Sequence, residues 1–147
     1  MKALEQHITA KALGLLYRNG PRGREVLASA GFDKKKNEPF YRLIGGGIEF
    51  GETATRAVIR EFNEELKADI TVEKFHGWLE NIFTYNGEQG HQLMAIFDVR
   101  FTNPALEQQD VFHVEEAYGK FEARWVSMDE VKAGRTRLYP AGMDKFY

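Results

Sequence analysis

Three glutamates at helical spacing give the strongest chemical signal in the chain. Glu61, Glu64 and Glu65 are related by steps of three and four residues, so on an α-helix their carboxylates share one face. Like charges at this spacing repel, and the macrodipole also disfavours them in the C-terminal half of a helix. A hard divalent cation removes this repulsion, and Mg²⁺ or Mn²⁺ suits an all-carboxylate site better than zinc. The spacing therefore indicates a cation site, with the solvated face of a surface helix as the plainer alternative.

A run of glycines before these carboxylates favours the cation site. The glycines at positions 45–47 let the backbone approach a ligand closely, and a carbonyl in this run can reach a cation at the acidic helix face. Gly51 and Glu52 then turn the chain into the helix. By residue type, Glu52 suits Arg60 as an ion-pair partner. An exposed pair worth under about 1 kcal/mol is the plainer reading of those two residues.

The same residues resemble the Nudix box, the signature motif of the Nudix hydrolase superfamily. The matching pattern is Gly46-x5-Glu52-x7-Arg60-Glu61-Phe62-x-Glu64-Glu65. The segment 122–131 is also similar to the last strand and helix of the family. Two positions depart from the family pattern. Lys67 stands where the family carries a glycine that permits a left-handed helix end, and Ile44 stands where many members have proline.

The resemblance implies both a fold and an activity. Members of the superfamily are α/β proteins in which an α/β/α sandwich with a mixed β-sheet carries the Nudix loop-helix-loop. They hydrolyse a nucleoside diphosphate linked to another moiety, with Mg²⁺ or Mn²⁺ as cofactor. Metal ions neutralise the phosphates and acidify the attacking water, which otherwise meets strong repulsion from the pyrophosphate. The expected partner is therefore a small-molecule nucleoside diphosphate derivative, such as a nucleotide, a nucleotide sugar or a dinucleoside polyphosphate.

Carried onto this sequence, the family pattern implies roles for individual residues. The cations would be bound by Glu61, Glu64, Glu65 and a backbone carbonyl of Gly45 or Gly46. The residues that shape the box would be Gly46, Gly51 and Glu52. Arg60 would hold Glu61 in place. The general base varies within the family: Glu61 is one candidate, and Glu115 or Glu116, before the last strand, is another.

Candidate substrate contacts come from aromatic residues and two cationic side chains. A nucleobase needs an apolar or aromatic face, and the aromatic candidates are Phe40, Tyr41, Trp78, Phe83 and Tyr85. Tyr85 lies where a tyrosine beyond the box resembles the marker of dinucleoside polyphosphate hydrolases. Arg42 can meet a phosphate or pair with a surface acid, and His91 can donate to a ligand or merely begin a strand. The substrate-binding candidates are Arg42, Phe83, Tyr85 and His91.

Periodicity and turn residues predict the elements that must position these side chains. Strands are predicted over 7–17, 25–29, 40–44, Ile70–Tyr85, 91–101 and 121–127. A helix is predicted over 53–66, with Thr53 as its N-cap and an apolar face formed by Val58, Ile59, Phe62 and Leu66. A short helix is predicted over Met128–Lys132. Turn residues at 19–23 and 86–90 predict hairpins, 31–39 is expected to be a solvated loop with three lysines, and 104–119 a long polar connection.

Length, composition and charge bound the remaining possibilities. The 147 residues suit one domain over 1–147, and 20 Lys and Arg against 22 Asp and Glu give no bulk attraction for duplex nucleic acid or a membrane surface. The absence of cysteine excludes disulfides, thiolate metal sites and cysteine nucleophiles. No apolar run approaches a membrane span, and the N-terminal residues lack the apolar core of a signal peptide, which predicts a cytoplasmic protein. A homodimer through exposed strands is compatible with the sequence.

Two other classes of function could use the same fold. A catalytically silent Nudix-like domain could sense a nucleotide or bind a protein. The intact set of Arg60, Glu61, Glu64 and Glu65 argues against it, because a sensor could lose those carboxylates freely. An isomerase acting on a diphosphate ester would need an extra acid or nucleophile, and the lack of cysteine disfavours it. The leading prediction is a divalent-metal-dependent pyrophosphohydrolase.

Overall fold

The computed structural model describes residues 6–85, 87–116 and 119–147, with only the backbone of Tyr85 and Glu116. Its strands are β1 Thr9–Gly20, β2 Gly23–Asp33, β3 Glu38–Gly47, β4 Ile70–Tyr85, β5 Glu88–Phe101, β6 Val111–Glu116, β7 Gly119–Ser127 and β8 Leu138–Tyr139. Its helices are α1 Ala54–Leu66 and α2 Met128–Lys132, and 3₁₀ helices span Pro104–Gln108 and Asp144–Phe146. Across these ranges, no helix is long and apolar enough to cross a membrane.

The described strands form one mixed sheet in the order β4-β5-β1-β3-β2-β7-β6, with β8 paired to β3. β1 runs parallel to β5, and β8 runs parallel to β3, whereas the other neighbours are antiparallel. The first half of β1 pairs with both β3 and β5, and its last residues pair with β2. The glycine-rich end of β3 therefore lies beside the start of β1 in the middle of the sheet.

Alternation along the strands divides the core into two layers. Ala12 and Leu16 of β1 pack in one cluster with Phe62 of α1. Leu13 and Leu15 point the other way, into a second cluster that includes α2 and the C-terminal segment. A helical layer on each face of a mixed sheet confirms the predicted α/β/α sandwich.

The helix α1 lies where the sequence predicts it, but its buried face is rotated. Ile59, which the sequence places on the apolar face, is 37% exposed, and Ala57 is buried instead. The buried residues of the helix are Ala57, Val58, Phe62, Glu65 and Leu66. At 100° per residue their arc is centred on Glu65, which puts Ile59 beyond its edge. A glutamate that the sequence treats as part of an acidic surface is thus partly in the core.

Both ends of α1 are capped, although its last cap is not the usual glycine. The Thr53 side chain accepts a hydrogen bond from the N–H of Arg56. At the other end Lys67 adopts φ 55° and ψ 36°, the left-handed conformation that glycine normally supplies, and its N–H donates to the carbonyl of Asn63. Its Nζ donates to the Glu64 carbonyl at 2.9 Å. The helix therefore exits as a glycine-capped helix does.

Replacing Lys67 with glycine should stabilise the protein. The left-handed conformation costs a residue with a Cβ roughly 1–2 kcal/mol. The lost hydrogen bond to Glu64 and the greater freedom of glycine in the unfolded chain offset part of this gain. We expect Lys67→Gly to raise the free energy of unfolding by about 0.5–1 kcal/mol in urea denaturation. Lys67→Ala keeps the Cβ and loses the same hydrogen bond, so an equal gain in that control would contradict the explanation.

The segment 104–119 is not the polar connection that the sequence predicted. It contains a 3₁₀ helix and β6, which pairs antiparallel with β7. Phe112 and Val114 are buried, whereas His113 and Glu115 are exposed. This alternation is the signature of a half-buried strand, and it was hidden by the polar residues of the exposed face.

The loop expected over 31–39 is also shorter than predicted. Because β2 continues to Asp33 and β3 begins at Glu38, the turn is confined to 34–37. The Asp33 side chain accepts hydrogen bonds from the N–H groups of Lys35 and Lys36, at 3.0 and 3.2 Å. The three lysines at 34–36 are exposed, as expected for a solvated tip.

The two predicted hairpins are confirmed. β1 and β2 pair up to Gly20 and Gly23, so only two residues form their turn. β4 and β5 pair along their whole length, from Ile70 and Phe101 to Tyr85 and Glu88. Asn86, which belongs to the predicted turn signal, lies outside the described residues.

Candidate active site

A glycine lets one carboxylate of α1 lie directly on β3. A Cβ placed on Gly46 would stand 2.6 Å from both carboxylate oxygens of Glu61, closer than real Cβ contacts allow. Gly46 is in register with Ala12 of β1, in the middle of the sheet. The seat for Glu61 therefore exists only because residue 46 has no side chain.

The preceding glycine serves a different purpose. Gly45 has a φ of 151°, and a Cβ there would collide with the backbone oxygen of Ala12 and lie 2.8 Å from Cα of Leu13. Both of these atoms belong to the backbone of β1, so no rotation of a side chain relieves the clash. Gly45 thus lets β3 approach β1, and the next residue seats the carboxylate.

Arg60 links the glycine-rich end of β3 to the acidic residues. Its Nε and Nη2 donate to the two oxygens of Glu52 at 2.7 and 2.9 Å, a bidentate pair. Nη2 also donates to the carbonyl of Gly47 at 2.9 Å. Nη1 donates to Glu61 Oε1 at 2.9 Å and to Glu64 Oε2 at 3.3 Å. The expected pairing with Glu52 is present, and each of the five N–H groups of the guanidinium has an acceptor.

The pairing with Arg60 changes the acidity of Glu52. Hydrogen bonds from the guanidinium, followed by one from the N–H of Glu49, lower the pKa of Glu52 to about 2. The hydrogen bond to Glu52, and then that to Glu61, raises the pKa of Arg60 above its ordinary value, against the effect of burial. Both groups therefore stay charged across the physiological range and hold the loop before α1 against the helix.

Acid should break the pair between Glu52 and Arg60 only at a pH well below the ordinary pKa of glutamate. The folded pKa of Glu52 is lowered from 4.5 to about 2, so the pair stabilises the folded state fully above pH 4.5 and loses its contribution as the pH falls through 2. We expect the side-chain carboxyl ¹³C resonance of Glu52 to titrate with a midpoint near 2 in NMR spectra. Arg60→Gln should return this midpoint toward 4.5. A wild-type midpoint already near 4.5 would contradict the bidentate pair.

The three helix glutamates differ in their surroundings. The Glu64 side chain is 57% exposed, that of Glu61 is 15% exposed, and Glu65 is buried. In the described part of the chain, no group of three or more His, Asp and Glu side chains is gathered so as to hold a metal ion. Glu61 and Glu64 instead share Nη1 of Arg60.

The donor set nevertheless has the chemistry of a hard-cation site. Glu61 and Glu64 offer carboxylate oxygens from successive turns of one helix, and hard divalent cations take oxygen ligands. Because Gly46 has no side chain, the Glu61 carboxylate lies against the backbone of β3. Since the carbonyl of Gly47 already lies within 2.9 Å of the guanidinium that bonds both carboxylates, strand and helix present oxygens to one region.

Two of the predicted substrate contacts lie in the β4–β5 hairpin, away from the carboxylates. His91 contacts Glu80 through its Nε2 at 3.0 Å, and the ring of Phe83 covers Gly90. Gly46 of β3 pairs with Ala12 of β1, which pairs on its other side with Ala95 of β5. Ala95 is four residues after His91, a distance of about 13 Å along the strand. These side chains are therefore not brought together with Glu61.

The remaining aromatic and cationic candidates are spread along the sheet. Arg42 is exposed on β3, four residues before the glycine that seats Glu61, and its guanidinium lies 5.6 Å from the ring centre of Phe40. Tyr41 is half-buried against the second core cluster, and Trp78 is half-exposed on β4. The side chain of Tyr85 lies outside the described residues.

The alternative general bases lie on β6. Glu115 is exposed and in register with Lys120 of β7, in an edge strand of the sheet. The side chain of Glu116 lies outside the described residues. Of the three candidate bases, Glu61 is the one that the structure places in contact with Arg60 in the acidic cluster.

One exposed aromatic residue in the motif itself was missed. Phe50 has 109% of its reference surface accessible, so its side chain packs against nothing in the protein. The aromatic candidates singled out from the sequence all lie in predicted strands. The available signal was an aromatic between Glu49 and Gly51, in a turn with no core to join.

This fold and this carboxylate helix define a class of protein. The NUDIX domain model matches residues 9–147, and the chain belongs to this family. A chain of Mycobacterium tuberculosis (strain CDC 1551 / Oshkosh) named mutator protein MutT4 is 30% identical over 100 residues, which make up 68% of this chain and 40% of that relative. The match thus spans less than half of the relative's length.

Solved structures share the fold. A NUDIX hydrolase from Nitrosomonas europaea superposes with a TM-score of 0.62 at 18% identity, covering 95% of this chain and 86% of the other. A MutT protein from Methanosarcina mazei Go1 superposes with a TM-score of 0.61 at 21% identity, covering 98% of this chain and 93% of the other. The sandwich and its loop-helix-loop are thus those of the Nudix fold.

Proposed function

We propose that this protein is a divalent-metal-dependent pyrophosphohydrolase that cleaves a nucleoside diphosphate linked to another moiety. The observation that carries the proposal is the seat of Glu61 on Gly46, locked by Arg60, which also bonds Glu64 and Glu52. An acidic helix face that only meets solvent does not require contact with the glycine-rich end of a strand. Membership of a hydrolase family supports the same assignment.

The metal would be held by the carboxylates of α1 and by the strand that ends beside them. We assign the ligands to Glu61, Glu64, Glu65 and a backbone carbonyl of Gly45 or Gly46. When bound, Mg²⁺ or Mn²⁺ neutralises the phosphate charge and makes the attacking water more acidic. Arg60 orients the Glu61 carboxylate through a hydrogen bond, and Glu52 anchors the guanidinium of Arg60.

The reaction requires a proton acceptor next to the attacking water. A new P–O bond forms to the water oxygen, the bridging P–O bond breaks, and the water proton reaches a carboxylate and then the departing phosphate. We assign the acceptor to Glu61, with Glu115 and Glu116 as the positions to compare. If Glu61 is the acceptor, Glu61→Gln should abolish turnover, whereas Glu115→Gln and Glu116→Gln should retain turnover and the acidic limb of the pH–rate profile.

The proposal is tested by product analysis over a panel of nucleotides. The protein is incubated with Mg²⁺ and nucleoside triphosphates, dinucleoside polyphosphates, nucleotide sugars or ADP-ribose, with Glu61→Gln as the blank. We expect metal-dependent cleavage of one class that is absent in the blank, which would also identify the leaving group. No cleavage of any class would instead favour the silent sensor or binding module. Cytoplasmic location, a domain over 1–147 and a homodimer stay predictions.

A further inference from the structure

Phe50 is exposed in a way that folding does not explain. Phe50 exposes a larger fraction of its surface than any other exposed large apolar residue among the described residues, and the next is Ile8 at 57%. Burial of apolar surface is what makes such a side chain stabilising, so a fully exposed phenylalanine contributes nothing to the core. Any contact that stabilises this side chain must therefore come from outside the chain.

The turn that carries Phe50 is rigid. The N–H of Glu52 donates to the carbonyl of Glu49 at 2.9 Å, and the N–H of Glu49 donates to the Glu52 side chain at 3.1 Å. Gly51 has a φ of 84°, as the third residue of a type II turn requires. The bidentate bond from Arg60 then fixes Glu52 to α1. Phe50 is thus held out by a turn with four constraints.

This turn adjoins the carboxylates. Glu49 Oε1 lies 3.8 Å from Arg60 Nη1, the same atom that bonds Glu61 and Glu64. Phe50 follows Glu49 in the chain, and consecutive Cα atoms are about 3.8 Å apart, so the backbone of Phe50 is close to the acidic cluster. A ligand whose phosphates bind at the carboxylates would therefore lie next to the turn that carries Phe50.

The surface cleft that Glu52 helps to line has no aromatic residue among its described lining residues. This cleft of about 600 Å³ runs along the exposed side of α1, within the size range of small-molecule sites. Its lining includes Glu52, Arg56, Ile59, Arg60 and Glu64. Ile59 is the apolar member, and it is the residue that the rotated helix exposes. The cationic side chains, Arg56 and Arg60, can attract a phosphate, whereas a planar base needs an aromatic or aliphatic face.

We propose that Phe50 stacks on the base of a nucleotide whose phosphates lie at the carboxylates of α1, and so selects nucleosidic ligands over bare phosphates. The inference rests on the proposed function for the phosphate side of the site. Stacking on one ring face tolerates different bases, so the predicted preference is for an aromatic base and not for a particular one. Phe50 is then a specificity residue in the loop of the motif.

The test compares two hydrolysis-resistant probes that differ in the nucleoside alone. α,β-Methylene-ADP and methylenediphosphonate are titrated by calorimetry, with Mg²⁺ present, into wild type, Phe50→Ala and the control Phe32→Ala, an exposed phenylalanine on β2. We expect Phe50→Ala to weaken α,β-methylene-ADP binding about tenfold and to leave methylenediphosphonate binding within about twofold. Phe32→Ala should change neither. The thermal unfolding midpoint of Phe50→Ala should match that of wild type, since the Phe50 side chain packs against nothing.

A second variant gives an independent readout. Phe50→Trp keeps a stacking face, so it should bind α,β-methylene-ADP at least as tightly as wild type, and the nucleotide should quench its added fluorescence. Unchanged nucleotide binding in Phe50→Ala, equal weakening of both probes, or no nucleotide binding by wild type would each overturn the inference. Hydrolysis with binding that does not depend on Phe50 would overturn the inference alone. Binding that depends on Phe50 without any hydrolysis would overturn the proposed catalysis alone.

Discussion

Glu64→Gln should lower kcat/KM at least about a hundredfold and leave the protein folded. Replacing a group that only touches a metal ligand typically costs 10–100-fold, so replacing a ligand should exceed that range. The fold should tolerate the change because the Glu64 side chain is exposed and its ion pair with Arg60, at 3.3 Å, is worth under about 1 kcal/mol. Neutralising one of three neighbouring carboxylates also relieves repulsion of tenths of a kcal/mol.

The measurement pairs turnover with metal affinity and stability. Turnover is followed on the substrate that the nucleotide panel identifies, Mn²⁺ affinity by calorimetry, and unfolding by urea. Glu122→Gln is the matched control, because Glu122 is also an exposed carboxylate bonded by an arginine, Arg124, at 2.7 Å on β7. It should behave as wild type. Marked unfolding of Glu64→Gln would make that carboxylate structural, and wild-type turnover would remove it from the site.

The elements that could be predicted from the sequence are those with local signals. Helix α1 has a capping threonine at its start and apolar residues at helical spacing. The predicted bounds of β4 match the observed ones, and the Asn-Gly turn signal that follows the strand marks its end. The parallel pairing of β1 with β5 joins Thr9 to Gln92, and no local pattern encodes such a distant contact. β8 is two residues long and exists only through its pairing with β3, so its own sequence carries no strand signal.

The candidate site divides in the same way. Glu61, Glu64 and Glu65 lie on one helix, so their relation follows from spacing, and Arg60 could be matched to Glu52 by charge. The bond from Arg60 to the Gly47 carbonyl involves a main-chain oxygen and has no signal in residue types. The substrate candidates depended on which residues neighbouring strands bring into register, and that register was not readable from the sequence.

Alanine at positions 46 and 45 should separate activity from stability. In Gly46→Ala the new methyl meets the flexible end of the Glu61 side chain, which can rotate away. The fold should survive, but Glu61 loses its seat, and we expect turnover to fall about a hundredfold. In Gly45→Ala the methyl meets the backbone of Ala12 and Leu13, at a φ of 151°. Strain and overpacking together should lower the free energy of unfolding by at least about 3 kcal/mol.

Urea unfolding and turnover per folded molecule, measured on both variants, distinguish the two roles. Gly47→Ala is the stability control, because a Cβ there has nothing within 4 Å. If Gly46→Ala unfolds as readily as Gly45→Ala, the clash with Glu61 is not relieved by rotation and the carboxylate is fixed by packing. If Gly46→Ala keeps wild-type turnover, catalysis does not need Glu61 against β3. Adjacent residues with opposite outcomes would mean that β3 uses one glycine to join the sheet and the next to hold the carboxylate.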